Sequence, residues 1–259
     1  MGLELTILFP CLNEAETIGT CIRRVQDVLE VSKVNAEILV ADNGSDDGSQ
    51  RIAVQSGARV SQVSKLGYGR ALRHGIQNSK GRFVVFADAD DSYMIEDFPV
   101  FLEELRNGTH FVIGNRFAGG IQSGAMPWAN RYIGNPLLSG IGRMLFGCAP
   151  RDLHCGMRGV NKEEILKVNL ECDGMEFASE MVIKAHLAGI KIKEVPTGLR
   201  VDGRSRPPHL RPLRDGRRHL TLMVGLKAQQ IAGNLKVLKM VGDNAETTGA
   251  TRPNFPEIR

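Results

Sequence analysis

Short apolar runs alternate with longer stretches of helical spacing through the first 115 residues, and this alternation restricts the chain to few folds. The runs at 4–9, 36–41, 58–63, 82–87 and 110–114 are β-branched or aromatic and bounded by turn residues. Such runs suit strands buried on both faces of a parallel sheet. Between them, 14–31, 48–56, 69–79 and 95–107 carry helical spacing; in the first, Ile18, Ile22, Val25 and Leu29 fall on one face. Parallel neighbours need right-handed crossovers, and ligands of such sheets gather at the carboxyl ends of the strands. The predicted class is α/β, with a Rossmann-like, mostly parallel central sheet flanked by helices.

Beyond residue 115 the pattern loosens. Residues 116–160 are irregular and rich in Gly, Arg and Asn, which suggests an acceptor-side region. A helix is predicted over 174–189, a strand over 190–201, and a loop crowded with Pro and Arg over 202–218. Residues 217–241 read as a helix in which Leu220, Val224, Ala228, Ile231, Leu235, Leu238 and Val241 recur every three or four positions among Arg217, Arg218, Lys227, Lys236 and Lys239. A basic amphipathic helix can lie on an anionic bilayer; it can equally pack on the domain or on the second subunit of a homodimer. Residues 242–259 are polar and predicted to be disordered. The expected organisation is a main α/β domain over 1–216, a helical extension over 217–241 and a tail over 242–259.

Composition removes several classes. A net charge of +4 with 5% aromatic residues and no basic block interleaved with aromatics gives no support for nucleic-acid binding. Cys11, Cys21, Cys148, Cys155 and Cys172 form no CxxC pair, so neither zinc nor a disulfide framework is indicated and a reduced, cytoplasmic setting is expected. No signal-peptide pattern precedes the first strand, and no run reaches the roughly 20 apolar residues of a membrane span. Membrane contact, if made, is then expected at the cytoplasmic face and peripheral.

Three polar clusters follow predicted strands: Pro10-Cys11-Leu12-Asn13-Glu14, Asp42-Asn43-Gly44-Ser45, and Asp88-Ala89-Asp90-Asp91. All three converge on one sheet edge. In an extended segment residues i and i+2 project to the same side, so Asp88 and Asp90 can reach one hard cation, Mg²⁺ or Mn²⁺. Asp42 can accept from a nucleobase N–H, and Pro10 and Glu14 lie across the same crevice. An Asx-rich capping turn accounts for Gly44, Gly48 and Asp46, but less well for Asp42.

These clusters, with Gly114-Asn115-Arg116-Phe117 and Gly174-Met175-Glu176-Phe177 followed by Glu180, resemble in order and spacing the family 2 glycosyltransferases of GT-A fold, nearest the dolichyl-phosphate mannose or glucose synthase branch. The resemblance covers roughly residues 3–220. It implies a nucleotide-sugar site built from Pro10, Asn13, Glu14, Asp42, Asn43, Asp88, Ala89 and Asp90, with Asp88 and Asp90 on the metal. It also implies phosphate contacts from Arg116 and Arg131, and from Arg200 and Arg206 in Arg200-Val201-Asp202-Gly203-Arg204-Ser205-Arg206, with Asp90, Arg116, Arg131 and Arg200 serving catalysis. Guanidinium forks suit phosphate oxygens and keep their charge.

Three departures stand out. Cys11 replaces the usual Tyr, Ser92 replaces a Gln that ligates metal in many relatives, so that Asp91 or water would complete the shell, and the transmembrane helices that follow in close relatives are absent from the sequence. The implied reaction is inverting transfer of a hexosyl group from a UDP- or GDP-sugar to a polyprenyl or dolichyl phosphate, whose ionised phosphate needs no strong base. A hydroxyl acceptor would instead need one, from Asp152, Glu176, Glu180 or His154; Cys155 has no role in a single displacement. A non-catalytic nucleotide-sugar-binding protein is the third reading, against which Asp88, Asp90 and Arg200 speak.

Overall fold

The computed structural model describes residues 2–206 and 211–238. A seven-stranded sheet orders its strands β3-β2-β1-β4-β6-β5-β7. In sequence these are β1 (Leu5–Cys11), β2 (Ala36–Asp42), β3 (Arg59–Gln62), β4 (Phe83–Phe86), β5 (Phe111–Asn115), β6 (Arg158–Asn161) and β7 (Ile192–Pro196). Helices α1 (Ile18–Ser32), α2 (Ser49–Gln55), α3 (Tyr68–Asn78) and α4 (Phe98–Arg106) supply the early crossovers. Then come α5 (Arg116–Gly119), a π-turn over Asn130–Gly134, α6 (Asn135–Phe146), α7 (Lys162–Lys167), α8 (Phe177–Leu187) and α9 (Pro212–Ile231).

Every residue of β1 is buried, as suits the mostly apolar sequence of a central strand covered on both faces, with Thr6 Oγ1 donating to Glu37 at 2.9 Å. It pairs in parallel with β2 from Leu5↔Ala36 to Cys11↔Asp42, and with β4 from Leu5↔Phe83 to Leu8↔Phe86. The chain therefore winds outward from β1 in both directions, and the crevice opens where that order reverses. Helix α3 packs unusually close to β1: a Cβ on Gly75 would lie 2.4 Å from Leu8 Cδ1, so only glycine fits there without displacing the strand's side chain.

The irregular reading of 116–160 is corrected. This span holds α5, the π-turn, α6 and β6, and β6 runs antiparallel between β4 and β5. Its sequence, Arg-Gly-Val-Asn, carries no apolar run; the two waiting strands make it a strand by pairing its backbone groups. Ser139, Gly140 and Gly142 weaken the helical signal of α6, but Gly142 is where Leu153 comes close: a Cβ there would lie 2.6 Å from Leu153 Cδ2.

The C-terminal helix also differs from expectation. It begins at Pro212, inside the predicted loop, with proline in the first turn and Asp215 Oδ2 accepting from the Arg211 backbone N–H at 2.7 Å. It ends before Gly233, whose φ of 71° turns the chain back, so that Asn169 N–H donates to Val237 O at 2.8 Å. The expected 216/217 boundary thus falls within the helix, and Met223 and Leu226 join the same buried cluster as the sheet. Leu220, Val224 and Ile231, the stripe read from sequence, are exposed; Asp215, His219, Met223 and Leu226 are the buried face. Lys239, Val241 and the tail 242–259 lie outside the described residues. No described helix is long and apolar enough to cross a membrane.

Candidate functional site

A cleft of about 1220 Å³ opens over the carboxyl ends of β1 and β4. One wall is Pro10, Cys11, Leu12, Glu14 and Asn43; the floor is Asp88, Ala89, Asp90, Ser92, Tyr93 and Arg116; the far wall includes Met126, Leu137, Leu138 and a row of arginines from α9. Members of all three sequence-predicted clusters line this cleft, Pro10, Cys11, Leu12 and Glu14 from the first, Asn43 from the second and Asp88, Ala89 and Asp90 from the third, whereas Asn13, Asp42 and Asp91 are not among its lining residues.

The loops after β1 and β2 hold each other. Asn13, in the left-handed region at φ 57°, accepts from Asp46 N–H at 2.9 Å through Oδ1, and Glu14 N–H donates to Ser49 Oγ at 2.8 Å. Asn43 is occupied structurally: Nδ2 donates to Lys65 O at 2.7 Å and Oδ1 accepts from Gly67 N–H at 2.6 Å. Asp42 Oδ2 accepts from Gly44 N–H, Ser45 N–H and Gln50 Nε2, while its Oδ1 is buried with no hydrogen-bond partner among the described residues. Leaving a buried acceptor unpaired costs about 1–3 kcal/mol.

At the floor, Tyr68 Oη donates to Asp88 Oδ1 at 2.9 Å, and Ser92 Oγ and N–H donate to Asp90 Oδ1 at 2.6 and 3.0 Å. The carbonyl of Ala89 accepts from Thr17 Oγ1 at 2.6 Å, fixing the turn between the two acids. Asp88 Oδ2 accepts no hydrogen bond among the described residues, and Gly156 stands so near that a Cβ there would lie 2.7 Å from it. Burial, and then the charge of Asp90, raises Asp88 to about 6; burial raises Glu14 to about 7 although Arg204 and Arg206 oppose it.

Arg204 rests on this acidic centre, 2.9 Å from Asp90 Oδ2, 3.0 Å from Asp202 Oδ2 and 3.4 Å from Glu14 Oε1. A guanidinium settled here marks the centre as one built to hold positive charge. No group of three or more His, Cys, Asp or Glu side chains is arranged to hold a metal among the described residues. Asp88 and Asp90 are hard oxygen donors on the cleft floor, and a cation held by them would take its remaining ligands from the bound molecule or water. Asp91 does not complete the shell: at φ 61° it turns to Arg24, 3.0 Å away.

The arginines are redistributed relative to expectation. Arg206 pairs with Glu14 at 2.9 Å and donates to the carbonyl of Leu12. Arg200 is drawn elsewhere, to Glu96 at 2.7 Å and the Tyr93 carbonyl at 3.0 Å, and is not among the residues lining the cleft. Arg131 is also outside that lining, its guanidinium 5.4 Å from the Tyr132 ring centroid. Arg116 reaches the floor but is gripped by Asp152 through two bonds of 2.7 Å, and its own N–H donates to the same carboxylate.

The candidate bases for a hydroxyl acceptor are similarly engaged. Asp152 is fully buried on Arg116; Glu180 accepts from the N–H groups of Glu171 and Cys172 and pairs with Lys184 at 2.9 Å; Glu176 pairs with Arg218 at 3.1 Å. His154 Nε2 and His219 Nδ1 share Ser179 Oγ at 2.9 and 2.7 Å, and burial lowers both imidazoles, His219 to about 4. Cys155 is fully buried and pushed up to about 12 by that burial. Sequence reasoning missed Arg204, Tyr68 and Tyr93, whose hydroxyl accepts from Gly156 N–H at 2.7 Å. Arg204 sits at a variable position of the Arg-x-x-Gly-x-Ser pattern, and nothing local marks the two tyrosines.

The cleft thus lies over the strand ends where the sheet order reverses, with an Asp-x-Asp floor and arginines on its walls. Residues 6–167 match the model for "Glycosyl transferase family 2", and the chain belongs to that family. It is 34% identical over 221 residues to the low-salt glycan biosynthesis hexosyltransferase Agl6 of Haloferax volcanii, covering 85% of this chain and 53% of that protein. It is 30% identical over 193 residues to the dolichyl-phosphate hexose transferase of the same organism, covering 74% of this chain and 81% of the relative. The chain thus spans about half the length of Agl6. The fold is GT-A: glucosyl-3-phosphoglycerate synthase from Mycobacterium tuberculosis, solved with Mn²⁺, UDP-glucose and phosphoglyceric acid, superposes with a TM-score of 0.66 at 21% identity, covering 87% of this chain and 80% of that one.

Proposed function

We propose that the chain is an inverting, cation-dependent hexosyltransferase that moves a sugar from a nucleoside diphosphate to a polyprenyl phosphate. One observation carries the choice of acceptor: the cleft wall facing Asp88 and Asp90 is lined by Arg211, Arg214, Arg217 and Arg218 together with Leu137, Leu213 and Leu220. Asp215 is the carboxylate on that wall, and it is buried against Arg214 and the Arg211 N–H. A phosphate with an isoprenoid tail matches cationic and apolar lining together, and its ionised oxygen needs no base. A hydroxyl would need one, and the carboxylates considered for that duty are engaged in ion pairs.

In this reading the Asp42 Oδ1 accepts from the base of the donor, and Pro10 and Asn43 border the same end of the cleft. Asp88 and Asp90 would hold Mg²⁺ or Mn²⁺, which when bound neutralises the departing diphosphate. Arg204 and Arg206 move their charge from the carboxylates to the diphosphate, and Arg116 adds a fixed positive charge beneath it. The name of the Haloferax dolichyl-phosphate hexose transferase and the Mn²⁺–UDP-glucose complex of the mycobacterial synthase support the same reading.

The test is incubation with UDP- and GDP-hexoses, Mn²⁺ and a short-chain, water-soluble polyprenyl phosphate. An acid-labile glycosyl phosphate lipid is expected; transfer to a hydroxyl acceptor with none to the lipid phosphate would overturn the assignment.

The raised carboxyls give a pH signature. With Asp88 at about 6 and Glu14 at about 7, against an ordinary carboxyl near 4, the folded chain binds more protons than the unfolded chain across that window. Stability from these two groups is therefore present at low pH and lost as pH rises through their folded values. A divalent cation with nucleoside diphosphate binds the ionised form, so the gain in Tm from Mn²⁺ plus UDP or GDP should be larger at about pH 7.5 than at about pH 5.5. Differential scanning fluorimetry reads this directly; a gain equal or larger at the lower pH contradicts it.

A further inference from the structure

Beside the cleft, two packed helices turn apolar stripes outward. On α9, Leu213, Leu220, Val224 and Ile231 recur at helical spacing and are 93%, 37%, 64% and 79% exposed, while its opposite face is buried on the domain. Helix α6 packs against α9 and, with the residues 128–134 that lead into it, exposes Trp128, Tyr132, Ile133, Leu137 and Met144. Leu137 from one stripe and Leu213 and Leu220 from the other line the same cleft, which places both stripes at its mouth. So much exposed apolar surface is unusual for a free-standing domain and marks an interaction face.

Charge selects the occupant. Residues 126–146 and 211–231, which build this face, contain seven Lys or Arg (Arg131, Arg143, Arg211, Arg214, Arg217, Arg218 and Lys227) and a single acid, Asp215, although the whole chain is only +4. Asp215 is buried. A second copy applied through the same face would bring arginines against arginines, which like-charge repulsion opposes. An anionic bilayer meets both features: it accepts the apolar stripes below the headgroups and attracts the basic fringe. Trp128 and Tyr132 are also the side chains that settle at a membrane–water boundary.

We propose that α6 and α9 dock the chain on an anionic lipid bilayer with the cleft mouth at headgroup level, where a lipid-linked phosphate can enter without leaving the membrane. This rests on the polyprenyl-phosphate reading above and adds the surface and its orientation. The α9 stripe runs along a helix about 30 Å long, so the helix lies flat on the surface and does not enter it end-on.

The test is co-sedimentation of the full chain with vesicles of phosphatidylglycerol and phosphatidylcholine in equal parts, and with phosphatidylcholine alone, alongside size-exclusion chromatography. The variant combines Trp128→Ser, Val224→Ser and Ile231→Ser, three exposed positions that do not line the cleft. Wild type should bind the anionic vesicles, more weakly in high salt and on phosphatidylcholine alone; the variant should bind at least tenfold more weakly with an unchanged Tm. Unimpaired vesicle binding by the variant, no vesicle binding by wild type, or a wild-type dimer that the variant dissolves would each overturn the proposal. Transfer to the water-soluble polyprenyl phosphate without vesicles separates the two readings: if that reaction proceeds and vesicle binding fails, only the docking surface falls.

Discussion

Replacing Asp90 by asparagine is expected to lower glycosyl transfer by about a thousandfold or more while the protein stays folded, because a Lewis-acid contact to a leaving diphosphate contributes several kcal/mol to the transition state. Asparagine keeps an oxygen for the Ser92 Oγ and N–H donors that orient the side chain at 2.6 and 3.0 Å. What it removes is the charge facing Arg204, which retains Glu14 and Asp202 as partners. Asp88→Asn should behave alike, since Asp88 Oδ1 still accepts from Tyr68. The measurement is turnover at saturating donor and Mn²⁺, with UDP or GDP affinity taken with and without the cation. The cation should tighten nucleotide binding to wild type and do little for either variant. Turnover within about tenfold of wild type in Asp90→Asn would remove the carboxylate pair from the centre of the mechanism.

The contrast between Asp90 and Arg200 shows which parts of the site a sequence can convey. Asp88 and Asp90 follow the apolar run of β4, which marks where they fall, although the turn between them is fixed by Thr17; Asp42 ends β2 itself. Position along a strand is local information. Arg200 and Arg204 lie four residues apart on a loop with no period, and their directions depend on which carboxylate each meets. Glu96, from the turn Ile95–Asp97, captures Arg200, and the acidic floor captures Arg204. Both partners are more than a hundred positions away, so no local pattern could rank the two arginines.

The same distinction runs through the fold. The parallel half, β1 to β4 with α1 to α3, is legible because each element carries its own apolar period. Strand β6 is not, since Arg158–Asn161 is a strand only by virtue of the gap between β4 and β5. The spacing within α9 marks a helix but gives its apolar stripe no direction. The buried face contains Asp215 and His219, polar residues satisfied by Arg211, Arg214 and Ser179, and so the more apolar stripe is left facing out. Hydrophobic spacing finds a helix; it does not decide which side is wet when buried polar groups find partners.

Arg116→Ala should prove more damaging to folding than a phosphate-contact residue would be. Sequence resemblance assigns Arg116 to the diphosphate, but its Nε and Nη2 are both committed to Asp152, which has no solvent exposure. Removing the guanidinium strands that carboxylate without a counter-charge, at a cost of about 3–5 kcal/mol, whereas loss of an exposed phosphate contact costs the apo protein almost nothing. For a chain of this size the corresponding fall in Tm is roughly 10 °C. The pairing can be separated from catalysis with the double variant Arg116→Met, Asp152→Asn, in which asparagine still accepts the Arg116-position backbone N–H that Asp152 Oδ2 now holds at 3.2 Å. Neither charge of this pair remains, so urea denaturation should return most of the lost stability. Under the role proposed for Arg116 at the diphosphate, turnover should nevertheless stay depressed, since no guanidinium remains at that position. If Arg116→Ala instead unfolds at the wild-type urea midpoint, the ion pair does not anchor the floor of the cleft, and the arginine is free to serve the ligand alone.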